Sequence, residues 1–141
     1  MSDTSQELLG LVSRVAGKCL LVSQAHVKLL AAKEVDENGD IDALWPECLA
    51  AHKNDIEWIE TGKSKVSVGM EAVQSLGTLS ERGLKQLGQL IHRMDGMIGI
   101  ATDPRGTFAK YYVDLQATVN AYVTVYQETK AMPEFDKSDE G

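Results

Sequence analysis

From Leu8 onward an apolar residue, or a histidine in its place, recurs at every third or fourth position: Leu8, Val12, Val15, Cys19, Val22, His26 and Leu29. That is the helical period, and it predicts a first helix that ends near the asparagine and glycine of "DENGD". A second seam runs through Trp45, Leu49, His52, Ile56, Ile59, Val66, Met70 and Val73, with Lys63 as its charged interruption. It predicts one long helix over about residues 42–76, capped by Asp40 or Asp42. Pro46 fits near its start, where the missing amide hydrogen costs nothing. Gly62 and Gly69 weaken the helix and place any kink between Thr61 and Ser67.

Thr78 or Ser80 can cap a third helix, with Glu81 at capping-box distance from Thr78. Its seam is Leu84, Leu87, Ile91, Met94, Ile98 and Ala101, and it stops before Pro104. Thr102 or Asp103 can cap a fourth helix, whose seam is Phe108, Tyr112, Leu115, Val119, Tyr122 and Tyr126, closed by Pro133. No alternating, strand-like run of convincing length occurs.

Four long helices with short links must place neighbours antiparallel. The expected product is all-α: an elongated four-helix bundle, up-down-up-down, forming a single domain over residues 1–132. Residues 133–141, "PEFDKSDEG", are acidic and aperiodic and read as a short mobile tail. Leu9, Leu20, Leu30, Val113 and Val123 lie beside the seams, where they either widen the core stripe or leave a sticky side.

Composition narrows the partners. With 14 basic and 21 acidic residues the net charge is −7, a field that repels nucleic acid and anionic membrane surfaces and draws in basic protein patches. Cys19 and Cys48 sit in apolar runs and read as buried free thiols. No apolar window is read as long enough to span a bilayer, and the start lacks a secretory pattern. A cytoplasmic location is the expectation.

His26 and His52 fall on the first two seams, and inward histidines in bundles can bind metal. No Glu-x-x-His pair accompanies them, so no metal is expected. Asp36, Asn38, Asp40 and Glu47 occupy ligand positions of a calcium loop, but Ile41 stands where the turn needs glycine. That segment reads as a helix-joining turn. There is no Gly-x-Ser-x-Gly elbow, no phosphate-binding glycine loop, and no activating context for either cysteine.

The remaining feature is "HRMDGMIG". Gly88, Gly96 and Gly99 share one helical stripe with His92, at minus four, plus four and plus seven. Glycines there cost helix stability, so close approach by another helix or a partner is the natural compensation. The run resembles the histidine phosphotransfer domains, helical bundles in which an exposed histidine is followed at plus four by a glycine that lets a response-regulator domain dock. The resemblance implies His92 as phosphoacceptor. The sequence departs from that family at Asp95, where a lysine usually stabilises the phosphoryl group, and Arg93 points about 100° away round the helix.

The residues therefore lead to a non-catalytic protein-binding or assembly protein, of adaptor, chaperone, inhibitor or structural-subunit type. Its partner is itself or another protein, a homo-oligomer included, and no cofactor is implied. Gly88, His92, Arg93, Gly96 and Gly99 are its expected contact strip, and phosphotransfer by His92 is the alternative.

Overall fold

The computed structural model describes residues 4–36, 39–77, 79–105 and 110–131. Within them the chain forms α1 (Thr4–Ala32), a 3-10 turn (Asp42–Leu44), α2 (Trp45–Ala51), α3 (Lys53–Leu76), α4 (Glu81–Thr102) and α5 (Tyr112–Ala131). No strand occurs among the described residues, only an isolated bridge between Asp40 and Tyr111. The protein is all-helical, a packed helical bundle. The acidic segment 133–141, Phe108, Thr78 and Asn38 lie outside the described residues.

The first seam forms as its period dictates. Leu8, Val12, Val15, Cys19, Val22 and His26 are buried, and Leu9, Ala16, Leu20 and Leu30 join them. The residues beside the seam thus widen the core stripe of α1, whereas Val113 on α5 stays 41% exposed. The helix ends before the expected "DENGD". Glu34 takes a left-handed φ of 59°, and its amide and that of Val35 return to the carbonyls of Ala31 and Leu30. This is the doubled closure of a Schellman motif, made without glycine.

The second predicted helix is corrected. The segment is a 3-10 turn followed by two helices, and the break falls at His52 (φ −124°, ψ 28°), not between Thr61 and Ser67. The His52 amide reaches back only three residues, to the Leu49 carbonyl, which closes α2 in a tighter turn. The break lets α2 turn Trp45 and Cys48 fully into the core. Gly62 and Gly69 are not kink sites: a side chain at either would meet Val15 or Leu8 of α1, at 2.6 and 2.9 Å. They bring α3 close to α1, and the pairs run in opposite senses along the two helices.

α3 stops at Gly77, which supplies a left-handed φ of 64°. Ser80 is the cap of α4, its hydroxyl accepting from the Gly83 amide at 3.1 Å. The start of the fourth predicted helix is also corrected. Thr102 donates its hydroxyl back to the Ile98 carbonyl and the Asp103 amide bonds Gly99, so both residues close α4, and α5 begins at Tyr112.

α1 is the organising element. It packs along α3, α4 and α5, whereas α3 and α5 have little or no packing on each other. One hydrophobic cluster draws on every helix. α1, 29 residues long, contains an 18-residue window of mean hydropathy 1.3, which by length and composition alone would suffice to cross a bilayer, and half of that window is buried against its neighbours as in a core helix.

Candidate functional site

The α4 strip comes first. His92 and Arg93 are exposed, and they line a shallow depression of about 380 Å³ with Asp95, Gly96 and Tyr122. Gly96 is already covered from within the molecule: a side chain there would meet the Tyr122 hydroxyl of α5 at 2.5 Å. Arg93 is held by Glu128 of α5 at 3.0 Å. Gly88 faces open space, and the Gly99 carbonyl accepts the closing hydrogen bond of α4. The strip therefore divides: Gly96 and Arg93 serve the α4–α5 contact, while Gly88 and His92 remain at the surface.

The other two histidines meet inside. His26 is fully buried, with its ring 5.4 Å from that of Trp45 and 5.5 Å from that of His52, both edge-on. Its Nε2 lies 3.1 Å from the Ala101 carbonyl. A carbonyl only accepts, so Nε2 carries the hydrogen and Nδ1 is the bare nitrogen. Burial pulls the His26 pKa below its usual range; the Ala101 hydrogen bond opposes this and nearby His52 adds to it. His52 leans toward Asp55 at 3.8 Å, and Asp55 in turn holds Lys18 of α1 at 3.3 Å. Among the described residues no three His, Cys, Asp or Glu side chains are placed to hold a metal ion.

The remaining candidates for chemistry are occupied in other ways. Asp40 accepts from the Asp42 amide at 3.0 Å, Glu47 pairs with Lys33 at 3.1 Å, and Ile41 is fully buried. These contacts pin the loop as a helix joint. Cys19 is buried and its thiol is pushed up to about 12; burial also raises Cys48, with Glu47 adding to the effect. Neither thiol is poised as a thiolate at neutral pH.

A further feature lies on α1. Because α3 and α5 pack on its sides without closing over it, one face of α1 is the floor of an open groove. A hollow of about 550 Å³ is lined by Arg14, Gly17, Lys18 and Leu21 of α1, Trp58 of α3 and Tyr126 of α5. Leu21 is 63% and Trp58 41% exposed. A second hollow of about 270 Å³ starts at the shared residue Gln24 and continues along α1 and α5 past Lys28 and Asn120. Lys18 Nζ stands 5.5 Å over the Trp58 ring, and Lys130 Nζ 5.6 Å over that of Tyr126.

Sequence reasoning passed over this groove, although the signal was present. Arg14, Gly17, Leu21, Gln24 and Lys28 are spaced three, four, three and four, a second helical stripe opposite the core seam. Chemically the groove can offer apolar surface, two aromatic faces and ammonium or guanidinium groups. No protein-family model, no curated protein and no solved structure matches the chain.

Proposed function

We propose that the protein is a non-catalytic protein-binding or assembly protein, an adaptor, chaperone, inhibitor or structural subunit, that works through helix surfaces. The observation that carries this reading is the uncovered groove on α1, where Leu21 of α1 and Trp58 of α3 stay in water beside a core that takes in Leu8, Val12, Val15, Cys19, Leu20 and Val22 of the same helix as Leu21. Contiguous apolar surface of this kind, rimmed by charge, marks interaction sites. The frame we propose beneath it is the elongated up-down-up-down arrangement of α1, α3, α4 and α5, with α2 as an added turn. Its support is the opposite running of the pairs Val15–Gly62 and Leu8–Gly69, and of Arg93–Glu128 and Gly96–Tyr122.

The strip Gly88, His92, Arg93, Gly96 and Gly99 is a secondary surface in this reading, since Tyr122 and Glu128 of the same molecule take up two of its members. A phosphotransfer role has in its favour only the exposed ring of His92. Asp95 beside it repels a phosphoryl group, Arg93 is engaged, and the docking glycine is covered.

The test is a photo-crosslinking side chain placed at position 21 in the cells that make the protein, with the exposed position 85 as control. Discrete protein adducts at 21 and none at 85 are expected. An absence of adducts at 21 would remove the reading. Acid-labile label on His92 after incubation with an acetyl-phosphate-charged receiver domain would replace it with phosphotransfer.

A further inference from the structure

We propose that the α1 groove seats one amphipathic helix of another protein, lying along α1 with its apolar stripe inward and carboxylates on its flanks. This rests on the protein-binding reading above and adds the chemistry of the partner.

The helical form of the occupant follows from the floor. The outward residues of α1 are Glu7, Gly10, Arg14, Gly17, Leu21, Gln24, Lys28 and Ala31, in alternating steps of three and four. They form one straight stripe along the helix, so the floor is a linear track flanked by α3 and α5, a shape that a single helix fills. Gly17 lets the Tyr126 ring of α5 settle against the helix, where a side chain would meet that ring at 3.1 Å, and Leu21 projects from the floor beside it. From Arg14 to Lys28 the floor is roughly 21 Å long at 1.5 Å per residue, room for about four turns of a partner. Trp58 on one side and Tyr126 on the other form the walls.

Charge selects the flanks. Between Leu8 and Ala32, α1 carries Arg14, Lys18 and Lys28 and no carboxylate, in a chain whose net charge is −7. Arg14 and Lys28 have no ion-pair partner among the described residues. Lys18, though shared with Asp55, lies over Trp58, and Lys130 lies over Tyr126. Cations thus stand at both ends of the floor, Arg14 and Lys28, and over both aromatic walls, Lys18 and Lys130. A helix with carboxylates on its two flanks matches this arrangement, and one with lysines there is repelled at contact distance, where local charges outweigh the screened field of the whole protein.

The experiment compares two synthetic helical peptides of roughly 18 residues, five turns long, that share one leucine stripe, lack tryptophan, and differ only in carrying glutamate or lysine on the flanks. Binding is read by intrinsic fluorescence, since Trp58 is exposed in the groove while Trp45 is fully buried. The glutamate peptide should bind at least about tenfold more tightly and shift the emission to shorter wavelength. Net charge alone demands the opposite order. Arg14→Glu with Lys28→Glu should abolish the preference, and Leu21→Ser should weaken the glutamate peptide about tenfold. These three side chains are exposed, and circular dichroism verifies that the variants fold. The proposal is overturned if neither peptide binds, if the lysine peptide binds as well or better, or if the double variant keeps the preference. It is also overturned if the protein self-associates in light scattering and Leu21→Ser makes it monomeric, for then a second copy is the occupant. Adducts at position 21 would survive any of these failures, so the two readings fall separately.

Discussion

His26 on α1 reaches the carbonyl oxygen of Ala101 at the end of α4 with its Nε2, 3.1 Å away across 75 residues of chain. The ring is fully buried and is held neutral there, because burial disfavours the imidazolium and nearby His52 disfavours it further. In the unfolded chain the same group protonates near pH 6.5. Native affinity for the proton is therefore lower than unfolded affinity. The stability that His26 contributes is complete above about pH 6.5 and is lost as pH falls from there toward the depressed native value, by up to about 1.4 kcal/mol per pH unit in that window. Urea unfolding at a series of pH values should show this slope, and His26→Gln should flatten it relative to the parent. Equal slopes in the two proteins would mean that His26 is free to charge in the fold.

Glu34 and Gly77, the two left-handed residues among those described, give a prediction with opposite signs. Gly77 ends α3 at φ 64° with nothing within 4 Å of the position a side chain would take, so Gly77→Ala meets only backbone strain. A loss of about 1 kcal/mol is expected. Glu34 holds the same conformation at φ 59° with a side chain attached, and it is exposed. Glu34→Gly should relieve that strain and gain up to about 1 kcal/mol, less the extra freedom of glycine in the unfolded chain. Thermal melts of both variants decide the matter, and a fall in Tm for Glu34→Gly would contradict the cap.

The sequence makes α1 legible because its core seam runs uninterrupted over seven positions, six apolar and one histidine, and Ser80 because a hydroxyl just before a helical run is a favoured cap. The break at His52 is invisible at that level: no glycine or proline stands there, and what bends the chain is the gain from burying Trp45 and Cys48, which only tertiary packing reveals. Thr102 and Asp103 look like caps of a following helix, yet their hydrogen bonds run backward into α4. At the candidate site the glycines of α4 look bare because the hydroxyl covering Gly96 comes from Tyr122, 26 residues on. The stripe Arg14 to Lys28 is written in the sequence, but its being left open depends on α3 and α5 standing on either side without meeting.

Thiol labelling tests the interior. With Cys19 pushed up to about 12 and Cys48 also raised, both by burial, neither presents thiolate at pH 8 in the fold. An aromatic disulfide reagent should label fewer than about one thiol in ten over the time in which the urea-unfolded chain is fully labelled. Labelling should follow the opening of the structure, with stabilising substitutions slowing it in proportion. Rapid modification of Cys48 in the native protein would instead show α2 detaching from the bundle on its own.

A set of three glycine-to-alanine substitutions separates packing from propensity on two helices. In each the added methyl favours the helix by up to about 1 kcal/mol. At Gly88 nothing lies within 4 Å, so Gly88→Ala should keep nearly all of that gain. At Gly62 the methyl meets Val15 at 2.6 Å, a fully buried β-branched side chain with nowhere to turn, and overpacking of about 1 to 3 kcal/mol outweighs the gain. At Gly96 the obstacle is the Tyr122 hydroxyl at 2.5 Å, the far end of a half-buried ring that can swing outward. There the two effects should nearly cancel, leaving stability within about 0.5 kcal/mol of the parent while the Tyr122 ring resonances move. The order Gly88→Ala, parent and Gly96→Ala together, then Gly62→Ala is thus expected in chemical denaturation. A full gain at Gly96 with an unmoved Tyr122 would free that strip from its intramolecular neighbour and return Gly96, with His92, to the role of an open docking surface.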